Sequence, residues 1–153
     1  MRSRIAIDPS LLEDFISFYG EFFHLPPLAA KIQAFLIFDF DRQGVTFEEL
    51  VDSFCVSKSS VSTTLHHLLE TGLIKEVPSE SRKRLFSINN EFIQLRFEEL
   101  LKRLKTEHSL FERLMDFRET QGHYSREKYE VYSNLIKNSI SNIENSLEQL
   151  YNE

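Results

Sequence analysis

Residues 45–88 read VTFEELVDSFCVSKSSVSTTLHHLLETGLIKEVPSESRKRLFSI, and the order of elements in this stretch decides the fold. Val45 and Thr46 suffice for one short strand. Thr46 and Glu49 have capping-box spacing, so Thr46 opens a helix over Phe47 to Phe54. Cys55 and Val56 leave room only for a tight connection. Ser57 is a preferred N-cap residue and starts a second helix, Lys58 to Thr71, which Gly72 closes as a C-terminal cap. Leu73 to Val77 and Arg84 to Ile88 are short β-prone runs on either side of a polar turn, Pro78 to Lys83. Helix, tight turn, helix and two-stranded hairpin are the parts of a winged helix-turn-helix, in its order.

At 100° per residue the second helix divides cleanly. Val61, Leu65, Leu68 and Gly72 share one face, with Leu69 at its edge, while Ser59, Ser60, Thr63, His66, His67 and Glu70 lie opposite. Short hydroxyl side chains let a helix sit deep in a major groove while bonding phosphates and base edges. Ser57 caps the helix whose N-terminus also offers unpaired N–H groups to a phosphate, and Lys58 adds a full charge beside it. Arg82, Lys83 and Arg84 stand at the hairpin tip, placed to reach the DNA backbone or a neighbouring minor groove. The expected contacts to double-stranded DNA are therefore Ser57, Lys58, Ser59, Ser60, Ser62, Thr63, His66 and His67 from the helix and Arg82, Lys83 and Arg84 from the wing. A hydroxyl-rich face or a basic turn taken alone is an ordinary solvated surface; their joint occurrence at these positions carries the reading.

Working outward, Asp8 and Pro9 have the N-cap and first-position pattern of a helix reaching Phe23. Its aromatic stripe, Phe15, Phe18, Tyr19, Phe22 and Phe23, together with Phe35 and Phe38, suits an effector cavity or plain core and dimer packing, and packing is the simpler reading. Pro26 and Pro27 open a helix from Leu28 to about Phe38 that is apolar nearly all round, hence a core helix. From Asn90 the pattern is long-helical: one helix to about Thr120, a break at Gln121-Gly122, and a last helix from Ser125 to near Leu150. Leu135, Ile136, Ile140, Ile143, Leu147 and Leu150 give that helix a seam for a partner. The fold class is mainly α with a small β-hairpin wing. Residues 24–89 form the winged helix-turn-helix, and residues 8–23 and 90–152 form a helical dimerisation region.

Four segments resemble a known family: Leu25-Pro26-Pro27-Leu28-Ala29-Ala30-Lys31-Ile32; Val45-Thr46-Phe47-Glu48-Glu49-Leu50-Val51; Val56-Ser57-Lys58-Ser59-Ser60-Val61-Ser62; and Leu68-Leu69-Glu70-Thr71-Gly72-Leu73-Ile74. Together they are similar to the GbsR-type branch of the MarR superfamily, over roughly Phe22 to Phe86. The resemblance implies a homodimeric bacterial or archaeal regulator, usually a repressor, whose outer helices form the dimer interface. Some members of the branch regulate osmoprotectant genes, but nothing in the flanks carries that ligand preference to this chain.

Composition constrains the rest. With 153 residues the chain can bury a real core, and with 4 Gly and 4 Pro it favours long helices over a sandwich or barrel. A single cysteine, Cys55, excludes an internal disulfide and suits a reducing compartment. No apolar run is long enough for a signal peptide or membrane span, so the expected location is cytoplasmic. The net charge is −6, but Lys58, Lys75, Arg82, Lys83 and Arg84 against Glu70, Glu76 and Glu80 make residues 57–84 net +2, leaving −8 for the remainder. A basic surface on an acidic body is compatible with DNA binding.

Other constellations fall short. Asp39-Phe40-Asp41-Arg42-Gln43-Gly44 opens like a calcium loop, but the closing bidentate carboxylate is missing, since Leu50 occupies the position that would supply it. Asp39 and Asp41 are instead expected in a solvated turn. His66 and His67 are adjacent and point to different sides of a helix; His24, His108 and His123 show no ligand spacing, so no metal and no cofactor is expected. Cys55 reads as a small core residue. No nucleophile–base pair or phosphate loop is present, so an enzyme is not expected. The mechanism expected is a homodimer placing two Ser57–Thr71 helices in successive major grooves, about 34 Å apart, on a palindromic operator. Whether a small-molecule effector acts, and whether the protein represses or activates, the residues leave open. The alternative is a winged-helix protein-interaction module that binds no DNA, which the acidic balance and the single cation on the second helix would suit.

Overall fold

Proline and capping residues set the helix starts. In the computed structural model, which describes residues 4–122 and 126–152, Asp8 accepts the Leu11 amide at 3.0 Å and Pro9 opens helix α1, Pro9–Phe22. Pro27 opens α2, Pro27–Ile37. Strand β1 is Val45–Thr46, followed by α3, Phe47–Phe54, with both bonds of the Thr46–Glu49 capping box present. Helix α4, Lys58–Thr71, begins at the Ser57 cap and ends where Gly72 turns left-handed at φ 80°. Strands β2, Ile74–Val77, and β3, Leu85–Ile88, precede α5, Phe92–Glu119, and α6, Glu127–Tyr151. The protein is mainly helical with one small sheet. The expected start of the last helix at Ser125, like His123, lies outside the described residues.

The sheet is antiparallel with order β1-β3-β2, so β3 is central. Val45 pairs with Phe86 and Thr46 with Leu85 on one side; Ile74 pairs with Ile88 and Val77 with Leu85 on the other. This register turns Phe86 and Ile88 inward, where they meet Ile32 and Leu36 of α2, Leu50 of α3, and Val61, Leu65 and Leu68 of α4 in one core. Helix α2 is buried along most of its length, as its unbroken apolar pattern requires. The aromatic stripe of α1 joins this interior: Phe15 stacks on Tyr19 at 5.9 Å and meets the Phe38 ring edge-on at 6.2 Å. Phe22 lies outside it, 57 % exposed.

The chain divides into two units, Met1–Phe92 and Ile93–Glu153. In the second, Tyr129 donates to Glu112 at 3.0 Å, Lys105 faces Glu144 at 3.8 Å, and Tyr151 donates to Glu98, contacts that run α5 and α6 antiparallel. Ile136 and Leu147 are buried and Ile140 and Ile143 half-buried, a three- and four-residue spacing. Of the same seam, Leu135 and Leu150 are 65 % and 47 % exposed, and Leu135 lies one residue step from the buried row at Ile136.

The turn after α2 corrects a further expectation. Asp39 is not solvated but fully buried, accepting from Arg4 Nη1 at 2.6 Å and from the Gly44 amide at 2.9 Å. Burial alone would raise its pKa, but the Arg4 guanidinium and the Gly44 N–H bond only the charged form and hold the group below its ordinary value of 3.8. A depressed folded-state value contributes stability that is present above the unfolded value and lost as pH falls through the folded one. Urea denaturation of the native chain and Asp39→Asn should therefore differ most near neutral pH, with the gap closing below about pH 4.

Candidate nucleic-acid interface

Helix α4 is held by its apolar face and shows its polar face to solvent. Val61, Leu65 and Leu68 are at most 3 % exposed. Ser59, Ser60, Ser62, Thr63, His66 and His67 are all exposed, as are Ser57 and Lys58 ahead of them. The structure thus brings all eight helix residues anticipated from the sequence onto one accessible surface, Ser62 and Thr63 included.

The start of this helix is ordered by its own hydroxyls. Ser57 Oγ accepts the Ser60 amide at 3.1 Å and lies 2.8 Å from Ser60 Oγ. That leaves the first amides of α4 directed outward beside Lys58, a concentration of partial positive charge. Thr64, half-buried, turns its hydroxyl back to the Ser60 carbonyl at 2.7 Å. His66 Nε2 stands 3.1 Å from Glu70, one turn on, so this ring is partly engaged on the helix surface while His67 is exposed.

The wing tip is shaped by serines. Ser79 Oγ accepts the Ser81 amide at 3.2 Å, and Ser81 Oγ in turn accepts the Lys83 amide at 3.2 Å, giving the turn successive hydroxyl-closed bends. The three basic residues of the tip are not equivalent. Arg84 Nε donates to Glu76 Oε1 at 3.1 Å, and Nη2 reaches the same oxygen. Its guanidinium also stands 5.1 Å from the centre of the Phe86 ring. The hydrogen bond from Arg84 holds the Glu76 carboxyl below its usual range and raises the Arg84 value in return. Arg82 and Lys83 are exposed and form no ion pair among the described residues. Sequence reading missed the Glu76 partner, although the hairpin register brings Glu76 opposite Phe86, within reach of Arg84.

Cys55 also departs from expectation. It is exposed, not a core residue, because it takes the left-handed C-cap of α3 at φ 51°. The tight connection needs that conformation to turn α3 into α4, and it points the thiol outward, with Sγ 3.6 Å from the Asp52 carbonyl. Among the described residues no group of three or more His, Cys, Asp or Glu side chains is placed to hold a metal ion. No helix there is long and apolar enough to cross a membrane.

Two measurements check this geometry. Cys55 should react fully with a thiol reagent under native conditions, without prior unfolding. Ser57→Ala should lower unfolding free energy by about 1 kcal/mol in denaturant titrations, the usual cost of a lost N-cap.

No protein-family model matches the sequence, and no curated protein does. Among solved structures, the chain is similar to the crystal structure of a transcriptional regulator, at 14 % identity over 95 % of this chain and 98 % of that one, with a TM-score of 0.59. It is also similar to TrmBL2, an archaeal chromatin protein with a novel mode of DNA binding, at 18 % identity and a TM-score of 0.50; the match covers 77 % of this chain but 45 % of TrmBL2. At these identities the likeness is one of fold, and it does not single out the GbsR-type branch. The chain has the winged-helix fold found in transcription regulators.

Proposed function

We propose that this protein is a DNA-binding transcription regulator, a repressor acting as a homodimer on a palindromic operator, and that it belongs to the GbsR-type branch which its motifs resemble. The observation that carries the reading is the pairing of an exposed hydroxyl face on α4 with two cations at the wing tip, Arg82 and Lys83, that have no ion-pair partner among the described residues. A helix face of Ser, Thr and His with no bulky side chain enters a major groove and bonds base edges and phosphates. The wing cations supply the long-range attraction that α4, with Lys58 as its single cation, lacks.

One α4 reads only a few base pairs, so useful affinity requires two. The second unit carries apolar rows that a second copy would cover: Leu110, Leu114 and Phe117 form an exposed row at four- and three-residue spacing on α5, and Val131 and Leu135 another on α6. Exposed apolar rows of this kind mark an association surface more often than isolated apolar side chains do. In such a dimer an effector would act by changing the separation of the two α4 helices, since a spacing of about 34 Å fits successive major grooves.

The test is a mobility shift with the duplex upstream of the protein's own gene, at low salt. A shift beyond that of random DNA supports the proposal; no such shift favours the other reading, a winged-helix protein-interaction module, which the net charge of −6 would suit. Replacing Arg82 and Lys83 by Ala should weaken binding to all sequences alike and flatten the salt dependence, by about 0.9 in log–log slope for each phosphate no longer neutralised. Arg84→Ala should change that slope less, because its charge is already answered by Glu76.

A further inference from the structure

Gly44, at the end of the turn between α2 and β1, is gripped by both of its backbone polar groups. Its N–H donates to Asp39 Oδ2 at 2.9 Å, and its carbonyl accepts from Arg4 Nη2 at 2.6 Å. The same two side chains are joined to each other through Arg4 Nη1 and Asp39 Oδ1 at 2.6 Å. Asp39 is completely buried and Arg4 is 38 % exposed at its side chain, so the pair closes over the turn from the solvent side. Arg42, in the left-handed region at φ 53°, donates to the Leu36 and Asp39 carbonyls at 3.2 and 2.8 Å and ties the same turn to the end of α2.

What Gly44 touches makes this grip consequential. A Cβ at this position would stand 2.8 Å from Leu85 Cβ and 3.4 Å from Val77 Cγ2, so the glycine backbone lies flush against both residues. Val77 and Leu85 are paired, and theirs is the last rung of the hairpin before the tip that carries Arg82 and Lys83. Leu85 also pairs with Thr46, two residues past Gly44, so the turn leads directly into the strand that borders the rung. The opposite end of the hairpin, Ile74 with Ile88, is fixed independently by burial in the core.

We propose that Arg4 and Asp39 are positioning residues for the wing: through Gly44 they fix the last rung of the hairpin and thereby the direction in which Arg82 and Lys83 present their charges. The proposal rests on the wing being a phosphate-binding element, and it makes the segment ahead of α1 a determinant of DNA affinity although it touches no DNA. The chemistry asks for arginine in particular. A planar guanidinium spans the Asp39 carboxylate and the Gly44 carbonyl with two separate nitrogens, whereas a lysine ammonium offers both acceptors a single nitrogen and no fixed fork.

The test uses the full chain with Arg4→Lys and Arg4→Ala. Arg4→Lys keeps a cation opposite Asp39 and guards against loss of fold in the alanine variant. Residue-resolved amide exchange should quicken at least tenfold at the Val77–Leu85 end of the hairpin in both variants, while the Ile74–Ile88 end and α4 stay as in the native chain. Affinity for a random-sequence duplex at low salt should fall threefold or more in parallel. An exchange pattern identical to the native chain, or one that quickens evenly over the whole first unit, overturns the proposal. A native chain that shifts no duplex overturns the DNA reading instead, since the exchange pattern decides the clamp without DNA.

Discussion

Everything proposed for this protein depends on α4 being held as a helix, and its own sequence does little to ensure that. Ser, Thr, Val and His all have lower intrinsic helix propensity than Ala, Leu or Glu, and an isolated helix of this length is marginal in water even for better sequences. What holds it is the burial of Val61, Leu65 and Leu68 against α2, α3 and the sheet, each such side chain contributing on the order of 1.5–3 kcal/mol. Ser57 and Gly72 then fix the two ends. Because packing carries the helix, its outer face is released from the duty of propensity and is free to be mostly hydroxyls and imidazoles, with Lys58 and Glu70 at its two ends.

Charge is placed with the same division of labour. Helix α4 carries hydrogen-bonding groups and a single cation, Lys58, while the wing carries Arg82, Lys83 and Arg84. The wing in turn separates its cations by task. Arg84 is bound to Glu76 and laid over Phe86, joining the two strands of the hairpin, and Arg82 and Lys83 are exposed without an ion-pair partner among the described residues. The carboxylates of α3, Glu48, Glu49 and Asp52, are exposed on the element just before α4.

The element order was legible because the punctuation was strong. Asp8 with Pro9, Thr46 with Glu49, Ser57, and Gly72 each act within one turn of their own position, so a local pattern suffices to place them. The polar face of α4 followed from periodicity alone. What escaped were features created by the return of the chain on itself. Asp39 sits in a stretch with the composition of a solvated turn, and its partner Arg4 lies thirty-five residues earlier. The lock of Glu76 on Arg84 needs the hairpin register, which charge counting ignores. Cys55 was misplaced for a backbone reason: a left-handed C-cap sends its side chain outward whatever its hydrophobicity. Resemblance to GbsR-type regulators adds an expectation about branch that fold similarity at 14 % identity does not reach.

The outward turn of Cys55 has a practical consequence. It is the one sulfhydryl in 153 residues, and it stands two positions ahead of the cap of α4. A spin label or fluorophore attached there sits at the start of α4 with no engineering of the chain. In an assembly of two copies the label-to-label distance is then a direct ruler for the separation of the two helices, readable in solution with and without duplex or small molecules.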